Sequence, residues 1–512
     1  MHLDRRAAEQ AVSPDAALII EETAFRAPRA AVCGVDTGWL SRPRLRDEAT
    51  GERSEPGTRE RGTNLNDIDG RAATYAGQAR QLGGRGSALY RWSVGWMTLC
   101  VLCLALGTTP ARGERELALV GATIYPAPGA PVISNGIVIV RDAVITAVGT
   151  RDDVSVSTNA DVLDCSGLSL AAGFWNSHVH FTPWRLALAG WLPSFVSAAD
   201  IRAMLTRYGF VHVLDTGSLA GNAVRLRARI ARGRLVGPDI RVAAGSFVAP
   251  GGSPFYLWPF RLPALKTPAE ARERVVRTLE AGADGIKLFT GGLAAPDSVV
   301  VIDTEIIRAA TTAAHERGAF VIAHPSNSAG ARAAIEGGVD ILAHTFPSEH
   351  EGPWDRSLMP RMTQAGMALI PTIKLWEYEL RRAGRDRASI EQWIRVAQHQ
   401  VRSFAALGGP ILFGTDVGYM RDYDPTDEYV YLAGAGLSFA QILATLTTAP
   451  AERFKVASRM GRIAAGMDAD LVVFDGDPRA DIRSLARVRH VLHRGRVVYG
   501  DDARPHQAAD AR

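Results

Sequence analysis

Lysine is nearly missing. Only Lys266, Lys287, Lys374 and Lys455 occur among 58 basic residues. A lysine in a chemically exposed position therefore stands out, because an amine can lose its proton and react while a guanidinium stays protonated. Cysteine is equally scarce: Cys33, Cys100, Cys103 and Cys165 are the four present. They form no paired C-x-x-C motifs and no Cys/His finger spacing, which excludes a structural zinc site of that type. The single C-x-x-C, Cys100 and Cys103, lies inside an apolar run, where a leader reading outweighs a redox one. Excess charge of one sign is lacking too. A net charge of +4 over 512 residues gives no reason to expect nucleic acid as a partner.

What remains is an ordinary globular composition, 47% hydrophobic and 22% charged. The length suffices for a barrel of about 250 residues with attached parts. Residues 1–90 mix Arg, Glu, Asp, Gly, Ala and Thr without sustained period 2 or 3.6. They read as a disordered extension or a mis-assigned start. Residues 91–113 carry Arg91, an apolar run over 94–107 and a small-residue stretch ending at Gly113. A run of about 14 residues is short for a transmembrane helix and fits a signal peptide. The expected mature start is near residue 114 and the expected location periplasmic or secreted; the protein is cytoplasmic if the segment is not functional.

From residue 114 the texture changes. Short β-rich segments broken by Gly, Pro and Asn-Gly occupy 114–172, and a matching group occupies 463–505. Two such flanks suggest one small composite β-sandwich built from both chain ends, followed by a disordered tail over 506–512. The middle, 173–462, alternates strand and helix signals. Eight strand candidates end near His180, Asp215, Gly245, Phe289, His324, His344, Thr372 and Asp416. Helical stretches at 269–281, 305–317 and 390–407 lie between them. Eight β/α units predict an α/β fold, a (β/α)8 TIM barrel.

The strand ends carry the chemistry. His178 and His180 sit at i and i+2 on the first strand, so both imidazoles face one side. Lys287, His324, His344 and Asp416 end strands 4, 5, 6 and 8. In a TIM barrel these ends surround one cavity, and imidazole with carboxylate is the ligand set that zinc prefers. An isolated His-x-His is as often core packing; the full set at matching strand ends is not.

Several motifs make the resemblance specific: Gly173 with His178-Val-His180, Gly282-Ala-Asp-Gly-Ile-Lys287, Ala323-His324, Gly338-Val-Asp-Ile-Leu-Ala-His344, Gly414-Thr-Asp416 and Gly466-Met-Asp-Ala-Asp-Leu-Val-Val-Phe474. Over roughly residues 116–500 the chain resembles the amidohydrolase superfamily, its imidazolonepropionase-like and prolidase-like branch. That resemblance implies two divalent ions, zinc as first choice. His178, His180 and Asp416 would hold one ion, and His324 and His344 the other. Lys287, carboxylated by CO2, would bridge them. Asp416 would then act as general base and acid, with Lys287 and His344 also in the catalytic set.

Other residues read more weakly. His212 on strand 2 reads as core or as support behind a ligand, and His315 as part of an outer helix. Lys374 and Tyr419 follow strands 7 and 8 and are candidates to meet substrate. The stretch after His324, Pro325-Ser-Asn-Ser-Ala-Gly330, has no His or Tyr; prolidase-like relatives often place one there, which argues against a simple dipeptidase. The expected reaction is hydrolysis of a small-molecule amide or peptide: a dipeptide, an N-acyl amino acid or a cyclic amide. The alternatives are a mononuclear deaminase or imidazolone-type ring hydrolase, and a non-catalytic metal-binding barrel. A homo-oligomer is compatible with the sequence, and no stable membrane association is expected after signal cleavage.

Overall fold

The computed structural model describes residues 116–347 and 354–500. The expectations for 1–90, 91–113 and 506–512 lie outside the described residues. Within them, the N-terminal flank forms β1 (Glu116–Ile124), β2 (Ile133–Arg141), β3 (Val144–Thr150), β4 (Asp161–Asp164) and β5 (Leu168–Ala172). Side chains alternate between faces as period 2 requires. Leu119, Val138, Ile145 and Leu170 fall into one apolar cluster, and Ala118, Val120, Ile137 and Ile139 into another.

The barrel follows, beginning with β6 (Phe174–Val179), β7 (Phe210–Asp215), β8 (Asp239–Phe247) and β9 (Gly285–Phe289). A hairpin that the sequence pattern did not announce, β10 (Gly291–Ala295) and β11 (Ser298–Val301), interrupts it. Then come β12 (Phe320–His324), β13 (Ile341–Ala343) and β14 (Ala368–Ile370). These seven barrel strands run in the order β14-β13-β12-β9-β8-β7-β6, and every neighbouring pair is parallel. Trp175, Leu214, Ala243, Ile322, Ile370 and Leu412 pack inside the ring.

The eighth stave, residues 411–417, is present without forming a continuous strand. Its hydrogen bonds reach both open edges: Leu412 N donates to Leu369 O at 2.9 Å, and Ser177 N donates to Phe413 O at 2.7 Å. Pro410 has no N–H to donate, and Asp416 turns left-handed at φ 61°, so the ladder is broken while the ring still closes. Gly414 is needed at this seam. A Cβ there would lie 2.4 Å from Ile370 Cγ2 and 2.8 Å from His178 Cβ.

The C-terminal flank, β15 (Leu471–Asp475), β16 (Val488–His493) and β17 (Arg496–Tyr499), joins the N-terminal one in a single mixed sheet. β15 pairs antiparallel with β5, Leu471 opposite Ala172. On β15, Leu471 and Val473 pack with the N-terminal strands, while Val472 and Phe474 pack into the barrel's outer core.

The barrel helices start where a side chain caps them. Thr267, Asp303 and Asp386 accept from backbone N–H groups at the starts of Pro268–Glu280, Thr304–His315 and Arg387–Ala406. Those caps shift the boundaries by one to three residues from the periodicity-based expectation. No helix among the described residues is long and apolar enough to cross a membrane.

Candidate metal centre and active site

Five strand-end residues and the closing stave converge at the C-terminal mouth of the barrel. β6 delivers His178 and is followed by His180; β9 delivers Lys287; β12 ends on His324; His344 follows β13; Asp416 lies in the closing stave. Backbone hydrogen bonds lock the two sides of the seam in register. Asp416 N donates to His178 O at 2.9 Å, and His180 N donates to Val417 O at 2.8 Å. Asn176, fully buried, adds a side-chain brace by donating to Thr415 Oγ1 at 2.7 Å.

One ligand atom each from His178, His180 and Asp416 lies within 4.8 Å of the other two. His180 Nε2 stands 2.9 Å and His178 Nε2 3.4 Å from Asp416 Oδ1. The imidazoles then form a continuous row: His180 to His178 at 5.3 Å between ring centres, His178 to His344 at 4.6 Å, His344 to His324 at 4.6 Å. His324 and His344 are outside the close trio but in direct contact with its rim. Lys287, 1% exposed, lies with its ammonium 5.6 Å from the centre of the Phe289 ring.

The electrostatics suit cation binding. Burial first, then the positive charge of Lys287 and of the neighbouring imidazoles, pushes His178 and His344 well below the ordinary histidine range. The same causes lower His324 to about 3. These rings are neutral at physiological pH, which is the state that ligates metal. Burial lowers Lys287 to about 8 despite the favourable charge of Asp416. Three buried atoms of the set, His178 Nδ1, Lys287 Nζ and Asp416 Oδ1, have no hydrogen-bond partner. Buried polar atoms are normally satisfied, so a bundle of orphans with imidazole and carboxylate chemistry fits a divalent ion.

Surrounding groups orient these side chains. Thr372 Oγ1 is 2.7 Å from His344 Nδ1 and 2.9 Å from Pro371 O. The Pro371 carbonyl can only accept, so the hydroxyl donates to it and accepts from Nδ1–H. That tautomer leaves His344 Nε2 with a bare lone pair, the arrangement in which a second partner sets a ligand's orientation. Thr216 Oγ1 stands 3.3 Å from His180 Nε2. His344, Thr372, Asp416 and Ser246 all adopt left-handed backbone at barrel strand ends, with φ of 71°, 44°, 61° and 44°. Non-glycine residues in this region concentrate at functional sites.

The two candidate substrate residues part company. Tyr419 stands three positions after Asp416 in a tight turn, its hydroxyl directed at Glu379. Gly418 makes the turn feasible: its φ is +96°, and a Cβ would sit 1.7 Å from His180 O. Lys374 is buried with its ammonium 2.9 Å from Asp422 and also bonded to the Asp424 carbonyl. His212 faces away from the cluster, 3.1 Å from Asp470, in a network with His493 and Asp239 between barrel and sheet. His315 sits at its helix end, 2.9 Å from Asp340. Pro325–Asn327 serve structure: Asn327 caps Ser328–Glu336, and Ser326 Oγ donates to Gly291 O. Thr216, Thr372, Glu379 and Tyr256 were not singled out in the sequence, because no motif or spacing marks them. A separate cleft lined by Trp354, Arg356, Gln392, Arg395 and His399 holds none of the cluster.

A profile of the Amidohydrolase family matches residues 169–498. Ochratoxinase from Aspergillus niger is 22% identical over 435 residues, covering 74% of this chain and 88% of that protein. Among solved structures, a Xaa-Pro dipeptidase with bound methionine superposes with a TM-score of 0.66 at 22% identity, over 75% of this chain and all of that one. The A. niger ochratoxinase crystal structure superposes with a TM-score of 0.62 at 20% identity, over 76% of this chain and 99% of that one. With the family profile spanning well over half of the sequence, from the last strand of the first flank to the last strand of the second, the chain belongs to the amidohydrolase family and is a hydrolase of carbon–nitrogen bonds.

Proposed function

We propose that this chain hydrolyses the amide bond of a dipeptide, an N-acyl amino acid or a cyclic amide at the cluster on the barrel mouth. The observation that carries this reading is the trio His178, His180 and Asp416, drawn within 4.8 Å and left with orphaned buried atoms. His178, His180 and Asp416 would hold one divalent ion, zinc as first choice, and His324 and His344 a second, with Lys287 as a carbamate between them. Bound there, such ions lower the pKa of a water and polarise a carbonyl.

The chain's own residues supply the rest. Asp416, at the mouth and beside both imidazoles of the first strand, accepts the proton released by the attacking water. It then returns that proton to the departing amine. A carbamate on Lys287 would place two anionic oxygens where an ammonium now lies unpartnered. Neutral His344, held by Thr372, presents Nε2 toward the cluster. Tyr419 is positioned to meet substrate from the turn after Asp416. Lys374, tied to Asp422, is better read as holding the loop that follows. The similar proteins, an ochratoxinase and a Xaa-Pro dipeptidase, agree with amide and peptide substrates. A one-ion centre on the trio alone is the second reading, favoured by the position of His324 and His344 outside it.

The test is a panel of dipeptides, N-acyl amino acids and lactams offered to zinc-loaded protein, with Asp416→Asn beside the parent. Removing a general acid–base costs about 10²–10⁴-fold in turnover, and the near-isosteric amide keeps the fold. Turnover of Asp416→Asn equal to the parent at equal metal content removes Asp416 from catalysis.

A further inference from the structure

The geometry points to Tyr256 as a further catalytic residue, whose hydroxyl donates a hydrogen bond to the oxygen of the scissile carbonyl. This inference rests on the amide-hydrolase reading above and adds to it a residue on a different loop. Tyr256 lies in the short helical turn Phe255–Leu257, on the segment that leaves the C-terminal end of β8. That end of the barrel is where its active-site groups gather.

The segment is long but held. Val248 N donates to Pro263 O at 3.1 Å, and Leu265 N returns to Val248 O at 2.9 Å, closing its base. Within it, Ser253 Oγ accepts from Leu262 N at 3.0 Å. Gly292 of the β10–β11 hairpin packs so closely that a Cβ there would lie 1.9 Å from Gly252 O. Tyr256 is thus presented from a braced platform, as a positioned donor must be.

Its direction follows from its neighbours. The Tyr256 ring meets the Tyr419 ring at 6.0 Å between centres, inclined by 61°. Tyr419 is tied through the Gly418 turn to Asp416. After burial, the charge of Asp416 and then that of Glu379 are the influences acting on the Tyr256 hydroxyl, all holding it in the protonated state. It is therefore a neutral donor, packed against the tyrosine that stands three residues after Asp416.

It is also a donor without an acceptor. Lys374 spends its ammonium on Asp422 and the Asp424 carbonyl, and Thr372 its hydroxyl on Pro371 O. Tyr256 makes ring contacts with Phe255 and Tyr419, and its hydroxyl has no hydrogen-bond partner among the described residues. A substrate carbonyl supplies the missing acceptor. As water adds and the C–N bond weakens, the carbonyl oxygen gains negative charge and the hydrogen bond strengthens. Tyr256 keeps its proton throughout; the proton exchanged belongs to the attacking water and passes through Asp416.

The experiment compares zinc-loaded parent, Tyr256→Phe and Asp416→Asn on the panel substrate that the parent turns over fastest, with zinc content and Tm recorded for each. Tyr256→Phe keeps the ring and its packing, so a merely structural role leaves kcat at the parental value. The expected result is a fall in kcat of about 10²-fold, the scale for losing one oxyanion donor, with KM within about threefold, and with zinc content and Tm unchanged. Parental kcat in Tyr256→Phe overturns the assignment while leaving the amide reading intact if Asp416→Asn is inactive. A rise in KM alone also overturns it, since that is ground-state binding. A parent inert to the whole panel overturns the reading on which it rests.

Discussion

Replacing Lys287 by Met separates the structural from the chemical role of that residue. In the metal-free chain the Lys287 amine is 1% exposed and has no hydrogen-bond partner. Burial moves it from 10.5 to about 8. Each tenfold change in a proton equilibrium is worth about 1.4 kcal/mol, so the ammonium weakens the fold by about 3 kcal/mol at pH 7. Met has nearly the same length and no charge to bury. Metal-free Lys287→Met in bicarbonate-free buffer is therefore expected to be more stable than the parent by about 2–3 kcal/mol. For a chain of this length that is a rise in Tm of about 2–3 °C. The pH dependence carries the sign. Between pH 8 and 10.5 the unfolded parent keeps a proton that the folded parent has released, so parental stability climbs over that window. The stability difference from Lys287→Met must shrink over the same window. With zinc and bicarbonate the order reverses: Met accepts no CO2, so bound zinc falls from two ions toward one or none, and turnover falls with it. Lys287→Arg should fail in the same way, since guanidinium stays protonated. Denaturant titrations, elemental analysis and turnover provide the three readings. A Lys287→Met protein that is less stable without metal, or that keeps two ions and parental turnover, refutes the reasoning.

Thr372 and His493 carry two further expected outcomes. Thr372→Val removes the hydroxyl that accepts from His344 Nδ1; zinc affinity should drop by about 10–100-fold, measured by competition with a chelator, and unchanged affinity would free His344 from the ligand set. His493 is raised to about 9, burial being outweighed by the nearby carboxylates of Asp239, 3.7 Å away, and Asp470, hydrogen-bonded at 2.8 Å. The stability it contributes, on the order of 2–3 kcal/mol, is full below pH 6.5 and lost as pH climbs through 9; denaturant titrations of His493→Gln should show that dependence removed.

Much of the candidate site is legible in the sequence because its residues repeat a local rule. Each ligand candidate terminates a short β-rich run, and His178 and His180 share a face by period 2 alone. Lys287 was conspicuous because so few lysines exist. Tyr256 and Glu379 carry no such mark. Tyr256 sits in a segment without periodicity, and Glu379 lies on a helix whose pattern announces only amphipathicity. Lys374 shows what a position along the chain leaves out. Its position after strand 7 suggested a substrate contact, yet Asp422, forty-eight residues later in sequence, folds back onto its ammonium.

By itself the sequence determined the α/β alternation, the pairing of two β-rich chain ends, and the identity of the six residues that end barrel strands, because hydrophobic periodicity and turn chemistry are local properties of the chain. Tertiary structure decided the rest. The closing stave is irregular because Pro410 and Gly414 fit between two strands at once. The His344 tautomer is set by Thr372 on the next strand. The two tyrosines meet because loops from β8 and from the closing stave cross the same mouth. Each of these depends on atoms distant in sequence and close in space, and no window along the chain contains both partners.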